Sequence, residues 1–88
     1  MRLFMQQPTP GNEPPRYVQL ILQPDLLGAW LLLRESGQIG GRSQLRRQQF
    51  LDHDSALAAF ETARDQQLGR GFKITFAEGS GAPRKESA

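Results

Sequence analysis

Two stretches of the chain alternate apolar and polar residues, as strands with one buried face do. Residues 16–23 place three apolar residues, each two positions apart, on one face. Residues 72–77 alternate in the same way, so Phe72, Ile74 and Phe76 are predicted to point to one side. Each stretch therefore predicts a half-buried β-strand.

A β-hairpin is predicted between these two stretches. Residues 29–39 begin with apolar residues on both faces, as a central strand does, and residues 44–50 form a polar strand. Gly40 and Gly41 both tolerate positive φ and predict the turn between them. Trp30 lies on the apolar strand, where core packing is the expected role and an exposed stacking platform is the alternative.

The length of the turn decides which side chains of the hairpin share a face. A turn of two or four residues places Arg34 on the face of Arg47, whereas a three-residue turn with a bulge shifts one strand relative to the other. With the even turns, four residues are predicted to face the helix: Leu31, Leu33, Ile39 and Phe50.

A helix is predicted after the hairpin. Apolar residues recur there at helical spacing, namely Ala56, Leu57, Ala59, Phe60 and Ala63. Asp52 is the predicted N-cap, and Gly69 or Gly71 is predicted to end the helix in a left-handed conformation. The small alanines favour close packing of this helix on a sheet.

The order strand, strand, strand, helix, strand predicts an α+β fold, with an antiparallel sheet of about four strands packed on one α-helix. The length of 88 residues predicts one small domain. Residues 1–15 contain four of the six prolines and are predicted to be a disordered leader. Residues 16–77 are the predicted domain, and residues 78–88, rich in Gly, Ser and charge, a predicted disordered tail.

The composition excludes several classes of site. The chain has no cysteine, so a disulfide framework, a thiolate nucleophile and a cysteine-based metal site are ruled out. No apolar run is long enough to cross a bilayer, and the N-terminal residues lack the pattern of a secretory signal. We therefore expect a cytoplasmic protein with no membrane partner.

Positive charge is concentrated in the predicted hairpin. The net charge is +2, and nine of the eleven basic residues are arginine, a bias that a GC-rich genome also produces. Residues 33–50 contain four arginines and one acid. These arginines predict a phosphate-binding surface, although exposed charges on a hairpin also serve only to discourage edge-to-edge pairing. Residues 37–43 do not match a phosphate loop.

Nothing in the sequence predicts catalysis, and we expect no enzyme activity, no cofactor and no small-molecule substrate. The carboxylates of Asp52, Asp54, Glu61 and Asp65 lie on the predicted helix surface, where such groups are usually solvated. His53 is the sole histidine and neighbours two of these acids, but adjacent positions converge poorly on one metal ion. No Ser-His-Asp order or dinucleotide fingerprint is present.

Residues 19–44, followed by the helix and by Gly69 to Phe72, resemble the WGR domain. This small module is named for a Trp-Gly-Arg triplet and occurs beside the catalytic region of DNA-damage-dependent poly(ADP-ribose) polymerases and in bacterial proteins. The similarity covers residues 16–76 and rests on the order and spacing of several residues together. The matching positions are Trp30, Gly37, Ile39, Gly40, Gln44, Ala56, Phe60, Gly71 and Phe72.

The chain departs from that family at its name-giving triplet, which reads Ser36-Gly37-Gln38. In the family's polymerases the tryptophan packs on the sugar of a terminal nucleotide and the arginine makes contacts at the break. Ser36 has no ring, and stacking on an aromatic ring contributes about 1–3 kcal/mol. Gln38 still donates a hydrogen bond, but without charge assistance. A lysine frequent late in the helix of relatives is replaced by Gln66 and Gln67.

The resemblance and the charge together imply a non-catalytic, WGR-like bacterial module that binds DNA or RNA weakly and without sequence preference. The expected contacts are with the phosphate backbone and are therefore salt-sensitive. The predicted binding residues are Arg34, Gln38, Arg42, Arg46 and Arg47. The alternative is a protein–protein interaction module that has kept the fold and lost DNA binding.

Overall fold

An α+β architecture is present: one helix packs on one face of a five-stranded antiparallel sheet. The computed structural model describes residues 1–79. The elements in chain order are β1 (Arg2–Gln7), β2 (Arg16–Pro24), β3 (Trp30–Gln38), β4 (Ser43–Phe50), α1 (His53–Gly69) and β5 (Lys73–Glu78). The order across the sheet is β4-β3-β2-β1-β5. The predicted fold class is confirmed, with one strand more than expected.

The extra strand is β1, so the prediction of a disordered leader over residues 1–15 is wrong for Arg2–Gln7. This strand lies inside the sheet, between β2 and β5. Its side chains alternate, and Leu3 and Met5 are fully buried. That period of two was present in the sequence, but the neighbouring prolines obscured it. Residues 80–88, most of the predicted tail, lie outside the described residues.

The core lies between α1 and the covered face of the sheet. Phe60 is fully buried at its centre, and burial of such a side chain contributes about 1.5–3 kcal/mol. Its neighbours in the apolar cluster come from three strands, the helix and the residue that precedes β5: Leu3, Met5, Val18, Leu20, Leu22, Leu32, Ala56, Ala63 and Phe72. The alanine stripe of the helix thus meets the sheet, as the sequence predicted.

The helix begins and ends at predicted residues. Asp52 is the N-cap, and its carboxylate accepts hydrogen bonds from the Ser55 backbone N–H and hydroxyl, both at 2.9 Å. These bonds, the backbone one first, lower the pKa of Asp52. At the other end Gly71 follows the Arg70 cap with a φ of +96°, the left-handed conformation that glycine tolerates.

The connection of the hairpin has an odd number of residues, so even-numbered residues of β3 share a face with even-numbered residues of β4. Gly37 pairs with Ser43, so residues 38–42 form the connection. The prediction that Leu31, Leu33, Ile39 and Phe50 together face the helix is therefore wrong. Leu32 is the buried residue of β3 instead, while Phe50 lies opposite Trp30 and packs against the core. A shift of one residue in register moves every side chain of a strand to the other face.

A bulge in β5 corrects a second prediction about faces. Phe4 pairs with Phe76, but the next residue, Met5, pairs with Ile74, so the register shifts between them. The extra residue in β5 turns Phe76 away from the core, whereas Ile74 packs against it. Phe72, Ile74 and Phe76 therefore do not share one face. Within residues 1–79, no helix is long and apolar enough to cross a membrane.

Candidate nucleic-acid interface

The part of the β3–β4 ribbon that lies away from the start of the helix carries the arginines. Near the start of the helix, Trp30 packs against the core and meets the His53 ring edge-on, with centroids 4.6 Å apart. Trp30 is thus a packing residue, as expected, and not a free stacking platform. Farther along the same face, β3 presents Arg34 and Ser36 instead of apolar residues.

Two of the predicted arginines lie directly opposite each other. Arg34 of β3 pairs with Arg46 of β4, on the face that carries the helix. Like charges directly across a pair of strands destabilise it, by up to about 1 kcal/mol. The sequence therefore maintains two positive charges side by side at a cost to the stability of the sheet.

A third and a fourth guanidinium border the same region. Arg70, the C-cap of the helix, lines a cavity of about 280 Å³ together with Arg34 and Arg46. Arg34 and Arg70 also line an adjoining cavity of about 300 Å³, to which Arg16 of β2 contributes. We call this surface the basic groove and define it by Arg16, Arg34, Arg46 and Arg70.

The charge of the basic groove is not neutralised by the described part of the chain. Ion pairs within residues 1–79 join Arg2 to Glu78 and Arg64 to Asp65, His53 lies 3.6 Å from Asp54, and none of these contacts includes a groove arginine. No acidic residue lines the two cavities that form the groove. Several uncompensated guanidinium groups around one concavity favour an anion.

The floor of the groove contains a buried amide that lacks a partner. Gln67 is 2% exposed and lines the larger cavity. Its Nε2, which can only donate, has no acceptor among residues 1–79. An unsatisfied buried donor costs about 1–3 kcal/mol, and an oxygen atom in the cavity would satisfy it.

The negative end of the helix dipole points toward the groove, but the chain itself caps it. The Arg70 N–H donates to the carbonyl oxygens of Gln66 and Gln67, and the Gly71 N–H donates to that of Leu68. Gln7 Nε2 in turn donates to the Arg70 carbonyl oxygen at 2.6 Å. These bonds reduce the repulsion that free carbonyl groups would exert on an anion.

Gln38 and Arg42 lie at the end of the hairpin, next to the groove. Gln38 Nε2 donates to the Pro14 carbonyl oxygen at 3.2 Å and ties the hairpin to the proline-rich loop. Arg42 lines a separate concavity with Arg16 and Gln38, and Glu13 places one carboxylate there. These two predicted residues flank the basic groove rather than form it.

Arg47 is the predicted site residue that the structure separates from the others. It follows Arg46 in β4 and therefore points to the opposite face of the sheet, where it pairs with Leu33. The prediction that Arg34 and Arg47 share a face is thus wrong. The error follows from the odd hairpin connection, which places Arg46 rather than Arg47 on the face of Arg34.

Arg16, Arg70 and Gln67 were not among the predicted site residues. The sequence gives Arg70 an alternative role at the negative end of the helix, and Arg16 only opens a strand. Antiparallel pairing of β2 with β3 places Arg16 opposite Gln38, and this register is the signal that would have found it. Among residues 1–79, no group of three or more His, Cys, Asp or Glu side chains is arranged to hold a metal ion.

Comparison with known proteins gives one similarity. No protein-family model and no solved structure matches the chain. Over 72 residues, which are 82% of this chain, it is 29% identical to the uncharacterized protein y4dW of Sinorhizobium fredii strain NGR234. The chain spans about a third of the length of that bacterial relative, since the matched part is 35% of it.

Proposed function

We propose that this chain is a non-catalytic module that binds nucleic acid weakly through its basic groove. The observation that carries the proposal is the directly opposed pair Arg34 and Arg46, which has Arg16 and Arg70 beside it and no carboxylate bonded to any of the four. A polyanion removes the repulsion between the paired guanidiniums and gains charge-assisted hydrogen bonds from them.

The chemistry of the groove suits the phosphate backbone better than the bases. Guanidinium groups bind phosphate oxygens in a forked geometry, and such contacts carry no sequence information. About four contacts on a duplex correspond to a slope near −3.6 when log Kobs is plotted against log salt. We expect a Kd of about 10⁻⁴–10⁻⁶ M at moderate salt.

The WGR resemblance also supports nucleic-acid binding. The departure from that family at Ser36, however, predicts that this chain does not prefer DNA breaks. Ser36 stands where the family has its stacking tryptophan, and it lies in the groove wall beside Arg34. Because a serine provides no stacking, nicked and intact duplexes should bind with equal affinity.

The proposal is tested by fluorescence anisotropy of short labelled duplexes, nicked and intact, at several salt concentrations. Arg46→Gln should weaken binding and reduce the magnitude of the salt slope by about 1. Arg47→Gln is the matched control, because it removes the same charge from the next residue, on the opposite face. Both variants are measured at concentrations where sedimentation shows the same oligomeric state, so that a difference in affinity reflects the position of the lost charge.

Two results would overturn the proposal. One is an unchanged anisotropy at low salt with protein at about 1 mM, well above the Kd expected for non-specific binding. The other is an equal loss of affinity in Arg46→Gln and Arg47→Gln, which would indicate a general effect of net charge and not a groove.

The second candidate function is a protein–protein interaction module. The observation that favours it is the sheet face without a helix, where Phe76 is 47% and Leu45 63% exposed. A partner bound there would be lost on Phe76→Lys and retained on Arg46→Gln, the reverse of what nucleic-acid binding by the groove predicts.

A further inference from the structure

The face of the sheet opposite the helix, here called the open face, is about half apolar. Phe4 and Tyr17 stack on it with ring centroids 5.5 Å apart. Arg2 lies over the Phe76 ring, 5.6 Å from its centroid, and forms an ion pair with Glu78. The helix of residues 1–79 packs on the other face, so these side chains have no helix above them.

Cross-strand pairing arranges the open face in rows that run across all five strands. The first row is Glu78, Arg2, Ile21, Leu33 and Arg47, from β5 to β4. The second row is Phe76, Phe4, Gln19, Glu35 and Leu45. In both rows the central residue comes from β2, the middle strand of the sheet.

The two ends of each row complement each other. The first row ends in an acid on β5, Glu78, and a base on β4, Arg47. The second row ends in two exposed apolar residues, Phe76 on β5 and Leu45 on β4. A twofold axis tilted about 15° from β2, which is half the crossing angle of aligned sheets, lies against the open face and exchanges β4 with β5 between two copies. It therefore brings Arg47 to Glu78 and Phe76 to Leu45, each pair twice.

The same axis fits the geometry of packed sheets. Ile21 meets Ile21 of the second copy at the centre, and aligned sheets cross at about 30°. With strands about 4.8 Å apart, this angle displaces the outermost strands by about 5 Å, which arginine and glutamate side chains span. A twofold axis along the first row would instead place Arg47 on Arg47 and Glu78 on Glu78.

We propose that the open face is an interface with a second copy of this chain, related by a twofold axis nearly along β2. The proposal rests on the complementarity of the rows and is independent of nucleic-acid binding. It leaves the basic groove of each copy accessible, because the groove lies on the other face of its sheet. A dimer would thus present two grooves on opposite sides, and Arg47 would serve the interface.

Sedimentation equilibrium of the full chain, freed of nucleic acid, tests the proposal. The wild type should show a monomer–dimer equilibrium below about 1 mM, and Phe76→Lys should weaken it by about tenfold or more. Leu26→Lys is the control, because Leu26 is fully exposed in the loop between β2 and β3. This control should dimerise like the wild type.

Mixing two charge-reversed variants tests the direction of the twofold axis. Arg47→Glu and Glu78→Arg should each weaken self-association about tenfold, because each creates two like-charged contacts in its own dimer. Mixed in equal amounts, the two variants should form a heterodimer in which both contacts are opposite in charge again. Thermal unfolding of each variant by circular dichroism verifies that it is folded.

A wild type that stays monomeric up to about 1 mM would overturn the interface. A mixture that associates no better than the separate variants would overturn the arrangement of Arg47 against Glu78. If Phe76→Lys and Leu26→Lys associate alike, the open face is not the surface in contact.

Discussion

The two ends of the β3–β4 ribbon are built from the same two strands and have opposite properties. At one end, Trp30 pairs with Phe50, and both pack against the helix-covered core. Toward the other end, Arg34 pairs with Arg46, beside the C-terminal half of the helix. The first pair buries apolar surface and stabilises the fold, whereas the second brings like charges together and destabilises it.

This difference teaches that the ribbon is not uniformly optimised for stability. A small domain has a thin core and little stability to lose. Even so, its sheet holds an unfavourable charge pair next to a buried donor without an acceptor, Gln67. Local unfavourable features of this kind concentrate at functional sites, which is why the arginine end is the better candidate for binding.

The largest effect is expected from breaking the covered end. Phe60→Ala should lower the free energy of unfolding by about 3–5 kcal/mol, because it leaves a cavity in the core. That loss is a large fraction of the total stability expected for a chain of this size, about 4–13 kcal/mol. Urea denaturation followed by circular dichroism measures the change. Leu51→Ala, at an exposed residue, is the control, and a loss below about 1 kcal/mol for Phe60→Ala would contradict the assigned core.

The next largest effect is expected at the arginine end, from Gly37→Ala. A Cβ at Gly37 would collide with the Arg42 carbonyl oxygen and would lie 3.0 Å from the Ser43 Cα. The backbone must move, at a cost of about 1–3 kcal/mol. Gly41→Ala in the same hairpin is the matched control, since its Cβ would meet its nearest atom at 3.5 Å. Equal unfolding midpoints in urea for the two variants would disprove this close approach.

A smaller effect, this time an increase in stability, is expected from removing one charge of the Arg34–Arg46 pair. Arg46→Gln removes one of two opposed charges, so the free energy of unfolding should rise by about 0.2–1 kcal/mol. The same variant should bind nucleic acid less tightly. Arg47→Gln, whose cross-strand partner is Leu33, should leave the stability of the monomer nearly unchanged. Thermal unfolding at low salt measures both, and a destabilised Arg46→Gln would argue against the repulsion.

The smallest effect concerns the dependence of stability on pH. Hydrogen bonds, first of all from the Leu27 backbone N–H and also from Gln49 Nε2, lower the pKa of Asp25, near the covered end of the ribbon. The stabilisation that the ionised Asp25 carboxylate gives to the fold is therefore present above the unfolded pKa of about 3.9. It is lost as pH falls through the lower pKa of the folded state. Asp25→Asn should flatten the decrease of Tm below about pH 4. If the curves of Tm against pH run parallel for the wild type and Asp25→Asn, this prediction is refuted.

Much of the fold could be predicted from local patterns. The period of two identified β2 and most of β5, and helical spacing with Asp52 identified α1, because these signals depend on neighbours in sequence. The strand β1 was missed because its short alternation adjoins a proline-rich loop. Phe76 was assigned to the wrong side because a bulge depends on the partner strand, which the sequence of β5 does not contain.

The candidate site was predicted only in part, for a similar reason. Four arginines were visible in one segment, but the number of residues in the connection decided which of them share a face. Arg46 joins Arg34, and Arg47 does not. Arg16 and Arg70 come from distant segments that meet only when the sheet and helix pack.

The sequence by itself determined most of the secondary structure, the α+β class and the abundance of arginine in the hairpin, since each follows from residue types at short spacing. Only the tertiary structure decided the hairpin register, the place of β1 in the sheet and the convergence of Arg16, Arg34, Arg46 and Arg70. The physical reason is that backbone pairing and core burial act between residues far apart in the chain. A shift of a single residue, invisible in composition, exchanges the two faces of a strand.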